Sequence, residues 1–90
     1  PYSTSAVLVM DQTSATQIYS GLKKAIDLGR LPQSTRIFGP TVIAKGQAKI
    51  VLHVENQKAQ LLISALHELQ RKRSISKKDL FTVRINPYSL

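Results

Sequence analysis

The sequence predicts an α+β domain, a four-stranded antiparallel sheet carrying two helices on one face. Three observations lead there. Four stretches read as strands and two as helices, in the order strand, helix, strand, strand, helix, strand. Ninety residues, 42% of them hydrophobic, suit one domain around one compact core. Gly39-Pro40 interrupts the second strand, and proline cannot donate to a sheet ladder. That strand is therefore an edge or carries a bulge, and an edge is its place in a βαββαβ plan.

The run AVLVM at 6–10 is apolar throughout and suits a central strand. Residues 11–14 read as a turn. Ser14 with Gln17 matches a capping box, and Thr13 is a competing cap. Ile18, Leu22, Ala25 and Ile26 then keep helical spacing. Gly21 weakens the middle of this helix by about 1 kcal/mol relative to Ala. Gly29 and then Pro32 stop it. Residues 36–44 form the second strand. Lys45-Gly46 turn the chain into 48–54, where Ile50, Leu52 and Val54 alternate with Lys49, Val51 and His53.

Residues 56–78 read as one amphipathic helix with a basic tail. Ala59, Leu62, Ile63, Leu66 and Leu69 make its apolar stripe. Lys58, Gln60, Ser64, His67 and Arg71 lie on the other side. In the last strand Phe81, Val83 and Ile85 alternate with Thr82, Arg84 and Asn86, and Pro87 ends it. Phe38 and Phe81 are assigned to the core, and 1–5 and 88–90 are loose ends. This order is the ferredoxin-like plan.

Thirteen Lys and Arg against five Asp and Glu give +8 and a pI near 10.2. Such a balance points to a polyanion: DNA, RNA or an acidic surface. Without cysteine, disulfides and thiolate metal sites are excluded, and a reducing compartment fits. No apolar run approaches the ~18 residues of a membrane span, and no signal peptide is visible. The chain opens on Pro1 rather than Met and is expected to be a piece of a longer protein.

Catalytic motifs are not found. Gly21, Gly29, Gly39 and Gly46 fit no phosphate loop, so ATP turnover by this segment is not expected. His53 and His67 have no cysteine and few acids near them, so no metal site is expected. No nucleophile has a readable partner base. The segment is read as no enzyme, without catalytic residues or cofactors.

The charge itself is better placed. Arg71, Lys72, Arg73, Lys77 and Lys78 put five cations into eight residues. Three of them fall in the last helical turn, where the helix dipole favours cations, and Glu68 is spaced to pair with Lys72. Lys77 and Lys78 are left over. The cluster is assigned to phosphate contacts, which give affinity without sequence reading. Arg84, Lys45 and Lys49 are secondary candidates. The open sheet face adds Arg36, Val51, His53 and Thr82. Base stacking is not expected there, because the aromatic signature of an RNA-recognition motif is missing.

Several of these pieces together resemble a known family. Gly39-Pro40 closes a strand, Ile50-Val51-Leu52 follow, and a helix carries Ala65-Leu66-His67-Glu68. The basic stretch 71–78 then precedes Val83-Arg84-Ile85-Asn86-Pro87. This series, with a proline-aromatic start at Pro1-Tyr2-Ser3, resembles the C-terminal domain of primosomal protein N′, the PriA-type replication restart helicase. The likeness covers nearly all 90 residues. Asn86 stands where the family has Asp.

The resemblance implies a fold similar to ribosomal protein S10 and a DNA-binding role at stalled or branched forks in the bacterial cytoplasm, associated with the nucleoid. It implies other primosome proteins as partners, and no membrane. ATP and zinc would belong to the parent protein. It also implies contact with the acidic tail of single-strand DNA-binding protein, with Lys58 the nearest match for the basic residue involved. Three other readings stand beside it. One is an RNA-binding or ribosome-associated domain of the same fold. Another is a small acyl- or phosphate-handling enzyme on a ferredoxin-like scaffold. The last is an interaction domain whose charge serves solubility.

Overall fold

The structure, a computed structural model, describes residues 3–75 and 82–89, with the backbone alone at 73–75 and 86–89. Lys77, Lys78 and Phe81 lie outside the described residues. The elements are β1 (Ser3–Asp11), α1 (Gln12–Asp27), β2 (Arg36–Ala44), β3 (Gln47–Glu55), a 3-10 turn (Asn56–Lys58), α2 (Ala59–Ile75) and β4 (Thr82–Ser89). The four strands form one antiparallel sheet in the order β2-β3-β1-β4. Both helices pack on one face of it, as the pattern predicts.

Strand alternation builds the core. Ala6, Leu8 and Met10 of β1 and Ala48, Ile50, Leu52 and Val54 of β3 are buried toward the helices. Ala15, Ile18 and Leu22 of α1 and Leu62 and Leu66 of α2 close over them, with Leu31 from the following loop. Ile37, Val83 and Ile85 pack at the margins from the two edge strands.

The start of α1 differs from expectation. There is no turn at 11–14: β1 runs through Asp11, and the helix begins at Gln12 with no side-chain cap. The Gln12 amide instead donates to the Gly46 carbonyl at 2.9 Å, so the β2–β3 turn does the work of the cap. Ser14, proposed as the cap, is buried within the first turn. The far end of α1 is a Schellman closure. Gly29, at φ 77°, donates to Ile26 at 3.0 Å and Arg30 donates to Ala25 at 2.8 Å.

β2 is an edge strand, and its register with β3 shifts between Phe38 and Thr41. Two residues, Gly39 and Pro40, occupy the space of one on the partner. Their peptide bond is cis. A Cβ on Gly39 would lie 2.8 Å from the Lys49 carbonyl oxygen, and its φ of +103° disfavours any side chain.

Three boundaries also move. Residues 56–58 form a 3-10 turn rather than the first turn of α2, and the Thr4 hydroxyl donates to the Asn56 side-chain oxygen there. Residues 3–5 belong to β1 rather than to a loose end. Pro87 does not end β4, which continues to Ser89. As the outer strand beside β1, β4 tolerates a residue with no N–H to donate.

Candidate nucleic-acid interface

The sheet face opposite the helices has no layer over it among the described residues. Its composition follows from register. One row runs Phe38, Val51, Val7, Arg84 across the four strands. On one side lies Arg36, His53, Ser5, Asn86, and on the other Thr41, Lys49, Val9, Thr82. Arg36, Lys49 and Arg84 are therefore brought to one surface by three different strands. Arg36 and Arg84 are exposed, and Lys49 is half-buried. The acids of this face, Asp11 and Glu55, sit at the ends of β1 and β3 and leave the three inner rows without a carboxylate.

The assignment of Phe38 to the core is overturned. The residue is 45% exposed and stands on the open face, while its neighbour Ile37 turns inward against the core. Adjacent strand residues point to opposite faces, and Ile37 is the one paired with the buried Leu52. The exposed ring is held from two sides. The His53 and Phe38 rings form a T-shaped pair, with centroids 5.2 Å apart and planes at 73°. The Arg36 guanidinium carbon lies 5.5 Å from its centroid, within range of a cation–π contact.

Among the described residues, the cations singled out from the sequence do not form one patch. Lys49 and Arg84 are on the open sheet face. Lys45 is exposed in the β2–β3 turn, and Lys58 is exposed in the 3-10 turn. Arg71 and Lys72 are exposed on α2, on the helical side of the sheet. Arg73 belongs to α2 by its backbone.

Arg71 is already engaged. Its Nη2 donates to Glu68 Oε1 at 2.7 Å and its Nε to Oε2 at 3.3 Å, a forked pair along one helical turn. The expected Glu68–Lys72 pair gives way to it. The hydrogen bond and charge of Arg71 hold the Glu68 carboxyl below its ordinary range, and the same bond raises Arg71.

Lys72 lines a groove of about 620 Å³ between α1 and α2, together with Leu22, Ala25, Leu28, Leu61 and Leu69. Leu28 and Leu61 are both more than half exposed there. The residues that sequence reasoning missed are thus Arg36 with Phe38 as a unit, and the exposed leucines of this groove. Alternation in 36–38 signals that one of Ile37 and Phe38 faces outward, without saying which.

Among the described residues, no three His, Cys, Asp or Glu are grouped so as to hold a metal ion. His53 is packed against Phe38, and His67 is exposed on α2. No helix among the described residues is long and apolar enough to cross a membrane. Comparison with protein-family models, with curated proteins and with solved structures gives no match.

Proposed function

We propose that this domain binds nucleic acid, with DNA as the polyanion, through the uncovered face of its sheet. The observation that carries the reading is the convergence of Arg36, Lys49 and Arg84 from three strands onto inner rows that contain no acid. A net charge of +8 adds a long-range field of the right sign. Cations at this density contact phosphates, which fix position and give affinity rather than sequence choice.

The resemblance to the C-terminal domain of primosomal protein N′ supports DNA over RNA, and branched or single-stranded DNA over a plain duplex. It also supports a place within a bacterial replication restart protein, where the acidic tail of single-strand DNA-binding protein would meet a basic residue such as Lys58. The stretch 71–78 is a second phosphate-contacting element in this reading. Arg71 contributes less to it than its charge suggests, because Glu68 already holds it.

Fluorescence anisotropy on forked DNA, linear duplex and an RNA hairpin, each at low and moderate salt, tests the proposal. Forked DNA should bind best and weaken steeply with salt. Lys49→Ala and Arg84→Ala should each weaken binding to all ligands and flatten the logarithmic salt slope by roughly 0.7–0.9. A preference for the hairpin would replace DNA by RNA. Absence of binding at low salt would refute the proposal.

A further inference from the structure

We infer that Phe38 is a stacking platform for one unpaired base, so that the open sheet face takes single-stranded rather than duplex nucleic acid. This rests on the reading that the face meets nucleic acid at all. Three features of the ring carry it. It is exposed, and it stands on an edge strand of the sheet. It is flanked by the His53 ring and the Arg36 guanidinium, so less side-chain freedom is left to lose when a flat partner arrives. It also begins a row that leads across Val51 and Val7 to Arg84.

The dimensions of that row match a strand of nucleic acid laid across the sheet. Three strand spacings separate Phe38 from Arg84, about 14 Å at the usual ~4.8 Å each. A base on Phe38 leaves its sugar and backbone lying over the two valines, with a phosphate in reach of Arg84 and another near Lys49 in the adjacent row. Sheets that bind RNA use the same division of labour, with aromatic rings on the strands and cations around them. In a duplex the faces of the bases are covered by their neighbours, and only edges and phosphates are offered. A ring standing on a sheet can therefore be used only by a base that has left the stack. Stacking tolerates any base, since every base has a π-face, so no sequence preference is implied.

Binding of an oligothymidylate, of an abasic oligomer of the same length, and of a duplex separates stacking from phosphate contact. The wild-type domain should bind the oligothymidylate about tenfold more tightly than the abasic strand, within the range of one base–aromatic stack. Phe38→Leu keeps apolar bulk on Val51 without a flat ring, and it should bring the oligothymidylate down to the abasic level. Its salt slope should be unchanged. Phe38→Tyr should keep the difference. Equal binding of the two single strands by the wild type would overturn the inference while leaving the phosphate reading intact. So would an equal loss on both strands in Phe38→Leu, or tightest binding to the duplex. No binding to any ligand at low salt would remove both readings together.

Discussion

Two glycine-to-alanine substitutions should move stability in opposite directions, and the structure sets both signs. Gly39 sits in the bulge of β2 at φ +103°, and a Cβ there would meet the Lys49 carbonyl oxygen at 2.8 Å. That oxygen is backbone of a central strand and cannot rotate away. Holding a non-glycine residue in so sparsely populated a conformation costs about 1–3 kcal/mol, and forcing apart a packed contact adds a similar amount. We take about 3 kcal/mol for Gly39→Ala. A 90-residue domain is stable by roughly 5–13 kcal/mol, so the loss is a large share of the whole. At about 4–8 °C per kcal/mol, the melting midpoint should fall by about 12–24 °C.

Gly21 is the control. It lies within α1, its ideal Cβ meets nothing within 4 Å, and alanine is the better helix former by about 0.5–1 kcal/mol. Gly21→Ala should raise the midpoint by about 2–8 °C. Thermal melts followed by far-ultraviolet circular dichroism read both. A Gly39→Ala domain that melts with the wild type would refute the close approach of β2 to β3. A destabilised Gly21→Ala would show that the helix face at that point is covered. Because Gly39 follows Phe38 directly, a shifted bulge should also weaken binding to single strands more than to an abasic strand.

Two further outcomes follow from the packing and the charges. Leu66 is 1% exposed beneath α2, and Leu66→Ala should cost about 3 kcal/mol by transfer and cavity formation. Leu61, one of the exposed leucines of the groove, should accept Gln within about 0.5 kcal/mol, and denaturant midpoints compare the two. Glu68 should titrate below the ordinary carboxylate range, because Arg71 donates two hydrogen bonds to its ionised form. A depressed carboxylate stabilises the fold above its unfolded pKa and loses that contribution as pH falls through its folded value. A side-chain carboxyl NMR titration should show the midpoint return to the ordinary range in Arg71→Ala. A midpoint that stays low in that variant would mean Arg71 is not the cause.

The elements and their order are legible in the chain because each rests on local pattern. Leu22 with Ile18 and Leu66 with Leu62 recur at helical spacing, and Ile50, Leu52 and Val54 alternate. These periods alone name the buried faces of α1, α2 and β3. Pro40 marks β2 as an edge or a bulged strand, since its missing N–H cannot serve a regular ladder on both sides, and β2 is both. Local chemistry also misleads where a distant group competes. The Ser14 capping box is plausible in sequence, yet the Gly46 carbonyl, more than thirty residues away, takes the amide at the helix start. Glu68 is spaced to suit Lys72 as well as Arg71, and only side-chain geometry chooses the fork of Arg71.

The βαββαβ order, the buried faces of β1, β3 and both helices, and the strong positive charge are all written in local pattern and composition. How that charge is shared between surfaces, and what stands beside it, depends on how the strands are set side by side. Alternation is a relative rule: it sends Ile37 and Phe38 to opposite faces, and both are apolar, so composition cannot say which turns in. Pairing of Ile37 with Leu52 fixes the phase, and Phe38 is left outside with Arg36 and His53. Likewise Lys49 and Arg84 are thirty-five positions apart and meet on one face only because β1 is inserted between their strands. Arg71 and Lys72 are only thirteen and twelve positions from Arg84 in sequence and yet fall on the helical side. Sequence distance measures chain, and a surface is assembled from strands in their spatial order.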